Sequence, residues 1–240
     1  MLMAQMGHPE ALGDAAFMSS YRALLFDIDG TLIDSGGAGA ESWKRAFDEL
    51  YGIPADIGEF TDTGMTDPDV GRQTFQAVLD RDPGDDEFAT LMDTRNRYLH
   101  ETVRDSEGYR VLDGVEELLP RLLSEGYLLG LVSGNVEVAG HIKLHRANLN
   151  RWFCFGAYGS DNTDRNEVVK LGLRRASLTY GAEISPDQAI VLGDTPRDVE
   201  GAHAGGMACI GVASHHFDKD ELRSAGADHV IGSLAEPLPI

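Results

Sequence analysis

Six short apolar runs, spaced by stretches of helical period, restrict this chain more than any other feature. The runs lie at 23–26, 127–132, 153–157, 189–192, 207–212 and 229–231. From residue 113 onward they alternate with amphipathic stretches at 115–123, 136–147, 168–180, 196–204 and 218–225. Strands that are apolar on nearly every residue, not on every second one, are buried on both faces. Joined through helices, such strands form a parallel sheet covered on both sides. The expected fold class is α/β.

One segment breaks the alternation. Residues 39–107 offer helices at 41–51, 67–79 and 85–103 and no convincing strand, with turn signals at Gly52-Ile53-Pro54 and Asp82-Pro83-Gly84. This is a helical insert between the first strand and the rest of the sheet. The Gly36-Gly37-Ala38-Gly39 run lacks the lysine and the further glycine of a nucleotide-binding loop, so it reads as a hinge into the insert. Expected boundaries are a flexible tail at 1–19, a core from 20–38 and 108–240, and the insert at 39–107.

Charge narrows the partners. The chain carries 40 acidic residues against 20 basic ones, a formal −20, and only Lys44, Lys143, Lys170 and Lys219 are lysines. Such a surface repels nucleic-acid backbones and anionic membranes, so neither is an expected partner. No apolar run approaches the roughly 20 residues that cross a bilayer. The first 19 residues lack the basic region and apolar block of a secretory signal. Cys154 and Cys209 show no CxxC spacing; they read as buried small apolar residues in a reducing cytoplasm. An acidic, lysine-poor surface also suits a high-salt interior, where screening removes self-repulsion. The melting temperature is therefore expected to rise by several degrees between ~0.1 M and ~2 M KCl. A chain most stable at low salt would contradict this.

In an open parallel sheet, ligands bind beyond the carboxyl ends of the strands. Here those ends carry chemistry. Asp27-Ile28-Asp29-Gly30-Thr31 follows the first run, Ser133-Gly134-Asn135 the second, Gly159 to Lys170 the third, and Gly193-Asp194-Thr195-Pro196-Arg197-Asp198 the fourth. No packing argument requires carboxylates, a hydroxyl with a glycine and a cation at successive strand ends. They suit phosphoryl transfer through an aspartyl-phosphate. Asp27 is placed as the nucleophile, since a carboxylate can carry a covalent phosphoryl group. Asp29, turned back by Gly30, can protonate the leaving alcohol and then take a proton from water. Asp27 and Asp194 would bind Mg²⁺, a hard cation that prefers carboxylate, phosphate and water oxygens; the main-chain carbonyl of Asp29 could add a ligand. Asp198 would orient the metal's water shell. Ser133, with the amides of Gly134 and Asn135 at a helix start, would hold phosphate oxygens, and Thr31 joins them as a candidate contact. The expected substrate is a small phosphorylated metabolite, and the chain is expected to act as a monomer or homodimer.

Asp27, Asp194, Asp198 and a dianionic phosphate total about −5 if Asp29 keeps its proton, and Mg²⁺ leaves about −3. A fixed cation should therefore stand on the neighbouring strand end. Two candidates lie there. Arg165 falls at the helix start; Lys170 lies about 7 Å of helix rise further on, amid ordinary amphipathic patterning. Geometry favours Arg165, whose fork can bridge two oxygens at once.

FDIDGTL at 26–32, VSGN at 132–135 and GDTPRD at 193–198, in this order, resemble the haloacid dehalogenase-like hydrolase superfamily, and within it the phosphoglycolate phosphatase type. The resemblance spans about 21–231. It implies a Rossmann-like core, Mg²⁺ dependence and a small helical cap, here the insert, that closes over the substrate. It also implies that the loop Thr63-Gly64-Met65-Thr66-Asp67 faces the site, with Met65 and Thr66 as substrate contacts; capping of the next helix by Thr66 or Asp67 is the competing reading. The pattern's lysine is replaced by Arg165-Asn166. A sugar phosphomutase of the same superfamily, and a phosphate-binding regulatory protein without turnover, are the alternative functions. His215-His216 reads as a surface loop, and Trp43 and Trp152 as packing.

Overall fold

The computed structural model describes residues 21–214 and 216–240. The tail expected at 1–19 and His215 lie outside the described residues. Strands β1 (Ala23–Phe26), β4 (Leu128–Ser133), β5 (Phe155–Tyr158), β6 (Ala189–Gly193), β7 (Ala208–Val212) and β8 (His229–Ile231) form one sheet in the order β5-β4-β1-β6-β7-β8. Every pairing in it is parallel. A two-residue strand β2 (Ile33–Asp34) pairs antiparallel with β3 (Arg110–Val111). The helices are α1 (Ala38–Tyr51), α2 (Asp67–Leu79), α3 (Asp85–Asp105), α4 (Val115–Ser124), α5 (Glu137–His145), α6 (Arg165–Tyr180), α7 (Pro196–Ala204) and α8 (Lys219–Ser224).

The apolar content of β1 explains its place at the centre. Leu24 and Phe26 point to one face, packing with Val115, Leu119 and Leu122 of α4 and Leu144 of α5. Ala23 and Leu25 point to the other, with Val168 and Val169 of α6 and Val199 and Ala202 of α7. Alternate residues of one strand thus seal two cores, as the period of a strand demands. All four are completely buried. The chain leaves β1 toward β4 and β5, then returns to β6 on the other side, so β1 sits where the strand order reverses. The crevice at such a switch point is where an open α/β sheet binds its ligand.

Helices α1 to α3 close a core of their own around Trp43, Phe47, Phe75 and Leu91. A further cluster, Ala38, Leu99 and Val103 against Val136 and Ala139, packs α1 and α3 onto α5. The β2–β3 pair ties together the two segments that lead into and out of the helical insert. Its strands are too short to leave a period in the sequence.

Candidate active site

The carboxyl ends of β1, β4, β5 and β6 bring the strand-end residues together. A cleft of about 510 Å³ lies between them and the insert, bordered by Asp27, Asp29, Met65, Ser133, Gly134, Asn135, Arg165, Asp194 and Asp198. Its roof includes Trp43, Asp56, Ile57 and Arg95. Thr31 and Thr66 do not border it. Thr31 is fully buried and faces a separate pocket beside Gly30 and Ser214. Thr66 caps α2: its hydroxyl accepts from Asp69 N and donates to Asp69 Oδ2. The capping reading of that threonine is the one the geometry carries, because among the described residues its hydroxyl bonds only to Asp69.

Of the two cations expected at this strand end, Arg165 is the one that faces the carboxylates. Its Nη2 donates to Asp27 Oδ1 at 2.7 Å and to Asp198 Oδ1, bridging two strand ends. The residue is 9% exposed. Lys170 turns outward to Glu167 at 2.8 Å. The reason is the start of α6, three residues earlier than the apolar period suggested: Asp164 accepts from Asn166 N and caps the helix there. That cap places Arg165 in the first turn, facing back over the sheet. Burial pushes the Arg165 guanidinium down, but the Asp198 and Asp27 carboxylates outweigh it and hold the group above its usual value.

Asp194 follows β6 and is 1% exposed; its Oδ1 is buried with no hydrogen-bond partner among the described residues. Asp198 is fully buried, and spends one oxygen on Arg165 and the other on Thr195 N and Oγ1. Oxygens of Asp27, Asp194 and Asp198 lie within 4.8 Å of one another, the single such group among the described residues. An orphaned buried carboxylate oxygen beside two more carboxylates fits a hard divalent cation. Asp198 would act on it indirectly, since both its oxygens are occupied. Gly30 permits this approach: it sits at φ +78°, and a Cβ there would lie 2.1 Å from Asp194 Oδ2.

Burial pushes the Asp27 carboxyl up, against the pull of Arg165, to about 7 from an ordinary 3.8. Burial, with the charges of Asp27 and Asp198, raises Asp194 in the same direction. A folded-state value above the unfolded one contributes stability at low pH that is lost as the pH rises through the folded value. The metal-free protein should therefore lose melting temperature between about pH 4 and about pH 7 on account of these groups. The fall from about pH 5 to about pH 8 is expected to shrink in saturating Mg²⁺ and in Asp27→Asn, read by thermal melts. An equal fall in all three samples would contradict it.

Asp29 is partly exposed to the cleft. Its Oδ2 accepts from Lys143 Nζ at 2.6 Å and from Asn135 Nδ2 at 2.8 Å. Burial pushes its carboxyl up, but the Lys143 charge and the bonds from Asn135 and Lys143 hold it below the usual range. Asn135 Nδ2 also donates to Ser133 Oγ at 2.8 Å. Lys143 is the functional candidate that the strand-end reading missed. Its signal was present: it falls four residues after Ala139, on the buried face of α5, where a lysine has no packing reason to be.

One loop of the insert bonds directly to the segment that follows β4. Asp67 N donates to Gly134 O at 2.8 Å, and Asp67 Oδ2 accepts from Val136 N at 2.9 Å. Asp67 Oδ1 accepts from the buried Arg95 at 3.0 Å. A Cβ at Gly134 would come within 2.6 Å of Met65 O, so only glycine lets the loop approach this closely. Cys209 is buried as expected, whereas Cys154 is exposed, because it precedes β5 at the sheet edge. His216 is exposed in a loop, as expected, and that loop also borders the cleft.

A parallel α/β core with a carboxylate and arginine centre at its switch point, roofed by a helical insert, defines a class of hydrolases. The chain belongs to the haloacid dehalogenase-like hydrolase family, whose sequence model matches residues 24–212. A 5'-nucleotidase of Pseudomonas aeruginosa is 30% identical over 232 residues, covering 90% of this chain and 93% of that protein. Validoxylamine A 7'-phosphate phosphatase of Streptomyces hygroscopicus subsp. limoneus is 26% identical, covering 90% of this chain and 95% of that one. Among solved structures, a predicted phosphoglycolate phosphatase from Haemophilus somnus superposes with a TM-score of 0.71 at 19% identity, over 91% of this chain and 96% of its own. That likeness speaks for the fold. No helix among the described residues is long and apolar enough to cross a membrane.

Proposed function

We propose that the chain hydrolyses a small organic phosphate monoester, phosphoglycolate-like in size, through a phosphoryl group carried on Asp27. The observation that carries this is the bridge from Arg165 to Asp27 and Asp198, beside the unpartnered oxygen of Asp194. A carboxylate pinned by a guanidinium at the end of the central strand is an oriented nucleophile, and no structural role repays three clustered buried aspartates.

Asp27 attacks phosphorus while the ester oxygen departs, and Asp29 delivers a proton to it. Asp29 then takes a proton from the water that attacks phosphorus, freeing phosphate and restoring Asp27. Arg165 holds Asp27 in line and offsets charge on the transferring group. Ser133 and the amides that follow it hold phosphate oxygens. Asp27 and Asp194 would hold Mg²⁺, with Asp198 orienting its waters; bound there, the ion offsets negative charge and polarises the phosphoryl group. Met65, Trp43 and Ile57 give the leaving group an apolar wall, while Asp56 and Asp62 line the same cleft. The exposed free thiol of Cys154 suits a reducing cytoplasm.

The test is phosphate release from a panel of esters, including phosphoglycolate, sugar phosphates and nucleoside monophosphates, with and without Mg²⁺. Mg²⁺-dependent release is expected. Phosphate returning to a second hydroxyl of the substrate, with no net release, would instead mean a mutase. Phosphate binding without turnover of any ester would mean a regulatory protein.

A further inference from the structure

Lys143 is 5% exposed, on a face of α5 that it shares with Ala139, Gly140 and Leu144. Burying an ammonium is costly unless it is paired and fully hydrogen-bonded. Lys143 is paired with a carboxylate and spends two of its three donors, on Asp29 Oδ2 at 2.6 Å and Asn135 Oδ1 at 2.7 Å. Asn135 completes a triangle, donating from Nδ2 to the same Asp29 oxygen. Both bonds to the carboxylate thus fall on Oδ2, and none falls on Oδ1 among the described residues. The side chain of Asp29 is 39% exposed, on the cleft side. Two donors on one oxygen fix the rotation of a carboxylate and present the other oxygen outward.

We propose that Lys143, with Asn135, is a positioning residue that clamps Asp29 Oδ2 so that Oδ1 meets the leaving oxygen and, afterwards, the attacking water. The proposal rests on the phosphatase reading. The negative charge of the bound ester, placed beside Asp29, favours protonation of its free Oδ1. In the first step Asp27 forms a bond to phosphorus, the ester P–O bond breaks, and that proton passes to the departing oxygen. Asp29 remains as a carboxylate held by the clamp. In the second step water attacks phosphorus, its proton returns to Oδ1, and the bond to Asp27 breaks. A side chain misplaced by 1 Å in such a transfer costs about 10²-fold.

The experiment compares wild type with Lys143→Met and Lys143→Arg on an alkyl phosphate and on p-nitrophenyl phosphate, whose leaving group needs no proton. For Lys143→Met the alkyl ester should lose about 10²-fold in kcat with KM within about 3-fold. With p-nitrophenyl phosphate the first turnover should stay close to the wild-type rate and the later ones slow, giving a burst of about one equivalent of nitrophenolate per site. Lys143→Arg should restore part of the alkyl rate. Lys143→Met added to Asp29→Asn should cost no more than Asp29→Asn alone. Asn135→Leu, which removes the second donor, should give the same burst, and it stands in if Lys143→Met does not fold. A raised KM with unchanged kcat would overturn the proposal in favour of a direct substrate contact. Equal losses on both esters, without a burst and additive with Asp29→Asn, would reduce Lys143 to a structural ion pair. Wild type inactive on every ester would overturn the phosphatase reading itself, and this role with it.

Discussion

Asp27→Asn should abolish phosphate release, lowering kcat by at least about 10⁴-fold, because an amide cannot replace the carboxylate that Arg165 holds at the end of the central strand. The loss should not come from unfolding. Asparagine fills the same space, and its carbonyl can still accept from Arg165 Nη2. It also removes a carboxyl that burial pushes up to about 7, so the metal-free variant is expected to melt no lower than wild type at neutral pH. Release assays and thermal melts on the same preparation separate the two effects. Activity within about 10-fold of wild type, measured above any contaminant, would remove Asp27 from the mechanism.

Arg165→Ala should cost about 10²–10³-fold in kcat, as expected when a preorganised donor to developing charge is lost. It should also destabilise the fold by about 3–5 kcal/mol, since it leaves Asp27 and Asp198 as buried charges without their partner. Both carboxylates bond to one guanidinium nitrogen, so Arg165→Lys should recover part of each loss while lacking the fork. Lys170→Ala breaks only a part-exposed pair with Glu167 and should change activity less than 2-fold and stability by no more than about 1 kcal/mol. Comparable activity losses at the two positions would contradict the assignment of the cation.

The six strands of the sheet were legible as short, largely apolar runs, buried throughout at β1 and only at Ile231 in the edge strand β8, and the helices around them because each pairs one apolar face with one polar face. The three helices of the insert were legible for the same reason, and α2 starts where Thr66-Asp67-Pro68 announces a cap and a first-turn proline. What the period could not supply was geometry across elements. The start of α6 was set by a capping aspartate, not by its apolar residues, and that shift carries Arg165 into the site. The β2–β3 pair has two residues on each side, too few for an alternation to register. Thr31 neighbours Asp29 in sequence, yet the sharp turn at Gly30 sends it into the opposite pocket. Lys143 lay more than 100 residues from its carboxylate partner, and only the packing of α5 against α3 and β5 brings them together. The carboxylates themselves were readable because several acidic groups at successive strand ends have no structural purpose.

The most direct measurement of the central claim is to catch the covalent intermediate. Asp29→Asn should slow the second step, so mixing it with Mg²⁺ and an excess of a reactive aryl ester and quenching with acid within a turnover should trap the phosphoenzyme. One phosphoryl group per chain is expected, located by peptide mass spectrometry at Asp27 and removed by hydroxylamine as an acyl phosphate is. Turnover with no phosphoryl group on Asp27, or with one on another side chain such as Ser133, would contradict it.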